Sequence, residues 1–298
     1  MGVIRTAMAP LIKGGVGGFS YYVKSKRQQV RVRKNNSNYG EGARRSLAQQ
    51  SQRVKWPNMV AVYRQIQGWG KKAFQLKSDN QTDFNRFMSL NIESAEIYLT
   101  KEQFNMGACV FNFMRVSDGS LPEVTLISTS FPGQGNTQFV RTNILLGGEP
   151  SSFSNYGAFC QSLISNNLGR FKDGDALAFI EYVNYLDANS IPRATSYYQE
   201  IVLDVTSTAE VGDFLPLEDC RINNSMQLCW GPARQDTNGV GCSIIHTRLQ
   251  KGKLLISPAQ LYLYYTEFSR PYCTNTAKAA AIESYGLDVE VELNPGEL

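Results

Sequence analysis

From Ala43 onward the apolar positions shift from helical to strand spacing near residue 95. Between Ala43 and about residue 92 they recur with helical spacing: Met59, Val62, Tyr63 and Ile66 fall at i, i+3, i+4 and i+7. The pattern predicts a helix between Arg44 and Gln67, broken or kinked at Pro57 and ended by Gly68-Trp69-Gly70. Ser78-Asp79-Asn80-Gln81 reads as a capping box opening a second helix that buries Phe84, Phe87 and Met88. After about residue 95 the period becomes two, the spacing of strands. The strands predicted are Glu96–Thr100, Ala108–Val116, Val124–Thr129, Gln138–Leu146, Ala176–Leu186, Tyr197–Thr206, Gln227–Trp230, Cys242–Leu249, Leu254–Ser257, Gln260–Thr266 and Leu287–Leu293. Turn signals such as Lys172-Asp173-Gly174-Asp175 and Gln250-Lys251-Gly252-Lys253 separate them. Helices are expected to interrupt the strands at Tyr156–Ser165 and Thr276–Tyr285.

The first residues behave differently. Residues 1–19 are small and glycine-rich, with Gly14-Gly15-Val16-Gly17-Gly18, and are expected to form a flexible arm that orders on a partner. Tyr21 to Arg33 alternates as a hairpin, with Val30 and Val32 on one face and Arg31 and Arg33 on the other. Asn35 to Gly42 reads as a polar loop. The fold class expected is therefore α+β. A basic hairpin-and-helix module over residues 1–95 precedes an antiparallel β-sandwich-like body over 96–298. A split of that body into two β subdomains near 170–210 satisfies the same pattern.

Charge sharpens this division. The chain carries 30 Lys and Arg, 26 Asp and Glu and a net charge of +4. Residues 1–80 hold 16 of the basic residues and two acids, Glu41 and Asp79, a balance of +14 that leaves −10 for the remainder. A cationic leading segment points to an anionic partner. The binding candidates are Lys24, Lys26, Arg27, Arg31, Arg33, Lys34, Arg44, Arg45 and Arg53. Between Tyr21 and Lys34 they are interleaved with Tyr21, Tyr22, Val30 and Val32, a mixture able to neutralise phosphates and stack bases. Near the C-terminus Asp288, Glu290 and Glu292 share one face of a predicted strand, with Leu287, Val289, Val291 and Leu293 on the other. That acidic face could dock the basic strand of another copy. Opposed charges contribute about 0.2–1 kcal/mol per pair and so would set register more than affinity. The same charges could equally guard two solvated edges against aggregation.

Chemistry is sparse by comparison. His246 is the only histidine and lies in a predicted strand, so it reads as a structural or surface residue. Asp173-Gly174-Asp175 reads as a turn before a strand rather than a cation site. The glycines at 14–18 lack the dinucleotide-binding spacing, and Gly70-Lys71-Lys72 lacks the remainder of a P-loop. Cys109, Cys160, Cys220, Cys229, Cys242 and Cys273 include no C-x-x-C pair and several sit in apolar runs, as expected of buried, reduced thiols. No catalytic residue, metal site or cofactor is expected. No apolar run approaches the roughly 20 residues of a membrane span. Ala7–Ile12 is shorter than the roughly 7–15 apolar residues of a secretory signal. Neither membrane insertion nor export by a signal peptide is expected.

Gly17-Gly18-Phe19-Ser20 followed by a basic hairpin, then Gln49-x-x-Gln52-Arg53-x-Lys55-Trp56, resembles a domain-of-unknown-function family of gut-type anaerobic bacteria and their phages and mobile elements. Ile244-Ile245-His246-Thr247-Arg248-Leu249 with Gly252-Lys253-Leu254-Leu255-x-Ser257 is similar to strands in such proteins. The resemblance covers roughly residues 14–95, and Tyr21-Tyr22 departs from it where a Gly-Lys pair is common. It brings no catalytic residues. The arrangement also resembles small tailed-phage structural proteins. The reading is a structural or assembly component of a virion or mobile-element particle, located in a virion or the bacterial cytoplasm. Its basic arm would bind copies of itself or other structural proteins. The alternative is a nucleic-acid-binding protein that uses the same basic module.

Overall fold

Backbone contacts divide the chain into two compact units, Met1–Ser46 and Leu47–Leu298. A computed structural model describes residues 2–3, 14–16, 19–24, 27–32, 47–70, 72–129, 139–215, 220–231, 240–264 and 266–286.

In the first unit, β1 (Gly2–Val3), β2 (Gly14–Val16), β3 (Phe19–Lys24) and β4 (Arg27–Val32) form an antiparallel sheet of order β1-β4-β3-β2. β3 and β4 pair with Tyr21 opposite Val30 and Lys24 opposite Arg27. Parts of the expected arm are strands: residues 14–16 pair with β3 and residues 2–3 with β4. The two edges of a lone hairpin present free N–H and C=O groups, which these short strands take up. The polar loop at Asn35 to Gly42 lies outside the described residues.

The second unit begins with α1 (Leu47–Gly70), followed by α2 (Asp83–Asn91), α3 (Lys101–Asn105), β5 (Arg115–Ser117), β6 (Leu126–Thr129) and β7 (Phe139–Leu145). Then come α4 (Tyr156–Asn166), β8 (Ala176–Leu186), β9 (Pro192–Val202), β10 (Cys220–Ile222) and β11 (Gln227–Trp230). β12 (Val240–Gln250), β13 (Lys253–Ile256), β14 (Ala259–Gln260), β15 (Tyr262–Leu263) and α5 (Asn275–Ser284) complete it. The class is α+β with antiparallel sheets. One sheet has the order β13-β12-β8-β9 with β15 also on β12; a second has the order β10-β11-β7-β6; β14 pairs with β5.

At the centre of the first sheet, in β8 and β12, both faces are buried. Leu177, Phe179, Cys242 and Ile244 share a core with Val140 and Ile144 of β7, Leu228 and Trp230 of β11, and Phe159 of α4. The Phe179 and Trp230 rings meet edge to face at 5.2 Å. The alternate residues Ile180, Tyr182 and Ile245 pack with Met59, Val62 and Ile66 of α1 and Phe87 of α2. This is why the unit boundary falls at 46/47 and not at 95: the apolar stripes of α1 and α2 have this sheet face as their partner. No break near 170–210 divides the larger unit.

Several local expectations shift. α1 runs through Pro57 without interruption. Proline forfeits one intrahelical bond, but Val54 and Met59 on either side are buried, and the Asn58 side chain bonds both backbone groups of Val110 at 2.9 Å. The second helix is capped by Thr82, whose hydroxyl accepts from the Asn85 N–H, and not by a box at Ser78. The stretch 96–100 is buried at Ile97 and Leu99 but is not a strand, and Thr100–Gln103 forms a reciprocal capping box that opens α3. β9 starts at Pro192 rather than Tyr197 because it pairs along the whole of β8. The expected strand over 260–266 is split between β14, on β5, and β15, on β12. Of Ala108–Val116, the last two residues are in a strand.

Candidate functional site

The residues expected to bind a partner distribute unevenly. Lys24, Arg27 and Arg31 lie in the β3–β4 hairpin, where Lys24 and Arg27 occupy directly opposed positions. Arg53 is exposed on α1. Lys26, Arg33, Lys34, Arg44 and Arg45 lie outside the described residues, as do Asp288, Glu290 and Glu292 with the strand expected there.

In the larger unit a largely buried cluster of Asp175, His246 and Arg248 gathers at the start of β8, with Arg248 reaching partly to the surface. Gly174 takes a φ of +80°, the left-handed turn expected of Asp173-Gly174-Asp175, and aims Asp175 inward. On β12, His246 and Arg248 share a face by strand alternation. The Asp175 carboxylate accepts from Arg248 Nε and Nη2 at 2.8 and 2.7 Å and meets His246 Nε2 at 2.8 Å. It also accepts the Lys172 N–H at 2.9 Å. Burial alone would push the Asp175 carboxyl up; the bonds from Arg248, His246 and Lys172 outweigh it and hold the pKa at about 2. His246 is fully buried, packs against the Phe171 ring at 4.7 Å, and leaves Nδ1 without a hydrogen-bond partner. The contacts that His246 and Arg248 make with Asp175 tie β12 to the start of β8. Sequence reasoning treated Asp175 and His246 separately; the signal that links them is an acid one residue before a strand and a histidine and an arginine at i and i+2 on another.

The thiols are also inward. Cys109, Cys160, Cys220, Cys229 and Cys242 are buried, Cys273 is half-buried and all are unbridged. Burial pushes Cys109 and Cys242 up to about 12 and Cys229 to about 11, so they are protonated and unreactive at neutral pH. No group of three or more His, Cys, Asp or Glu among the described residues could hold a metal ion, and no helix there is long and apolar enough to cross a membrane.

A groove of about 280 Å³ opens where α1 ends over the sheet it covers. Its floor is Ala178, Ile180 and Ile245, and Trp69 and Tyr198 stand among its walls. Trp69 is held by an edge-to-face contact with Tyr182 at 6.2 Å and by its indole N–H to Ser196 Oγ at 3.5 Å. The exposed Lys72 and Glu200 bring one charge of each sign to the lining. The arrangement suits an apolar or aromatic side chain between Trp69 and Tyr198. Sequence patterning did not reveal it, because it depends on where α1 ends over the sheet. No protein-family model, no curated protein and no solved structure matches the chain.

Proposed function

We propose that this protein is a structural component of an assembly, a particle of a phage or mobile element in a virion or bacterial cytoplasm. Its basic N-terminal unit engages an anionic surface on neighbouring copies or other structural proteins, and its sandwich-like body serves as scaffold. The observation that carries this reading is the division of the chain at 46/47 into two units of opposite charge. Residues 1–46 hold ten Lys and Arg and one acid, a balance of +9, which leaves −5 for residues 47–298. The resemblance over residues 14–95 supports the setting. Light scattering of the full chain at low and high salt tests it. Native protein is expected to form salt-sensitive assemblies, and the double substitution Arg27→Glu with Arg31→Glu to abolish them. Assembly that is indifferent to both charge reversal and salt sinks the reading.

A second reading, binding of nucleic acid by the same unit, is favoured by the opposed positions of Lys24 and Arg27. Like charges directly opposite destabilise a hairpin unless an anion lies near them. Affinity for generic duplex DNA would then fall with salt at a log–log slope of about −0.9 per phosphate contact. Absence of binding at low salt removes this reading.

A further inference from the structure

β9 is a terminal strand, with β8 as its one strand neighbour among the described residues. It pairs from Pro192 to Val202 without a register shift. Long regular edges invite another strand, and proteins blunt them by shortness, bulges, proline or lysine. β13, at the opposite edge, has four residues and begins with Lys253; β6 and β10, the edges of the second sheet, have four and three residues. β9 has 11, and between Ala194 and Val202 its one charge is Glu200.

The hydrogen bonds at its two ends fix which backbone groups face out. The Ile191 C=O accepts from Asp187 N–H at 3.0 Å and the Leu203 N–H donates to Asp175 C=O at 2.8 Å, so odd-numbered residues bond toward β8. Even-numbered residues face the other way: the Pro192 C=O accepts from Cys109 N–H and the Val202 C=O from the Tyr156 hydroxyl, each at 2.9 Å. Between these stops Ala194, Ser196, Tyr198 and Glu200 turn their N–H and C=O groups outward, and no described residue bonds them. The Tyr198 side chain there is 54% exposed.

The stops at Pro192 and Val202 are equidistant from Tyr197, so the open window is symmetric about that residue. An antiparallel copy of the same strand on a two-fold axis at Tyr197 satisfies every outward group, with Ala194 opposite Glu200 and Ser196 opposite Tyr198. It sets Tyr197 against Tyr197 as a close, non-hydrogen-bonded pair. Centring on Tyr198 opposes Ala194 to Val202, whose carbonyl is taken. Centring on Glu200 opposes like charges. We propose that the chain forms a two-fold dimer through β9, joining the β13-β12-β8-β9 paths of two copies into one continuous sheet. This contact is separate from the charge-driven one proposed for the basic unit.

The full chain is tested in about 1 M salt, where the Debye length is about 3 Å and charge contacts of the basic unit are screened. Failure there therefore belongs to β9 pairing alone. Sedimentation is expected to give twice the 33.3 kDa chain mass. Tyr198→Pro removes an outward N–H and leaves the β8 ladder intact, and is expected to give monomer with an unchanged circular dichroism spectrum. Tyr197→Cys treated with copper phenanthroline as oxidant is expected to form an intermolecular disulfide that wild type and Thr195→Cys do not form. A native protein monomeric at every concentration overturns the proposal. So does a dimer that a folded Tyr198→Pro leaves intact. So does Tyr197→Cys cross-linking no better than Thr195→Cys, the deciding result should the proline variant not fold.

Discussion

Ala176–Leu186 and Ala108–Val116 are both apolar runs in the core, and only the first is a strand throughout. β8 has a strand on either side, β12 and β9, and its backbone groups are spent in those ladders. The second run is outside any strand up to Met114, bends at Phe113, and has side chains as partners at several positions. Asn58 of α1 bonds the N–H and C=O of Val110. Asn184 of β8 does the same for Phe111 at 2.8 and 3.0 Å, and Asn91 of α2 for Arg115 at 2.7 and 2.8 Å. A carboxamide carries a donor and an acceptor in the spacing of a peptide group, so it can replace one residue of a missing strand. The comparison teaches that burial and alternation reveal a core segment, whereas what pairs with its backbone is a separate matter.

The largest expected effect lies at the start of β8. Asp175→Ala strands the buried His246 and Arg248 and is expected to cost about 3–5 kcal/mol, read from the urea midpoint; a cost near zero would mean that β8 needs no anchor there. Next, Asn184→Ala leaves both backbone groups of Phe111 buried and unpaired, an expected loss of about 2–4 kcal/mol. Hydrogen exchange should show the Phe111 amide losing protection while that of Ile180 keeps it. Equal loss at both amides would erase the distinction between side-chain and strand pairing.

Acid tests the anchor without mutation. The Asp175 pKa falls from 3.8 in the unfolded chain to about 2 in the folded one. The stability it supplies, about 2 kcal/mol, is present above pH ~4 and lost as pH falls through about 2. Unfolding free energies measured down that range should show the loss in wild type and not in Asp175→Asn. The smallest effect is expected for Ile180→Val in β8, about 1 kcal/mol, because one methylene is lost and every backbone bond survives. A cost exceeding that of Asn184→Ala would reverse the ranking of packing against backbone pairing.

Much of the architecture was legible locally. Ala176–Leu186 and Gln227–Trp230 have the bounds expected from alternation, and α4 and α5 begin within one residue of where they were expected. Boundaries shifted where a partner decided them, as at β9, drawn back to Pro192 by the length of β8. The groove and the Asp175–His246–Arg248 cluster were not legible, since their members lie far apart along the chain.

By itself the sequence determined the periods, the turns and the unequal distribution of charge, because each depends on neighbours within a few positions. Tertiary structure alone decided that α1 and α2 belong with the sheets, that asparagines pair the backbone at Val110 and Phe111, and that β9 has no strand beyond it among the described residues. Those outcomes depend on which surfaces and backbone groups meet across long separations, and buried polar groups accept whichever partner the packing brings within hydrogen-bond reach.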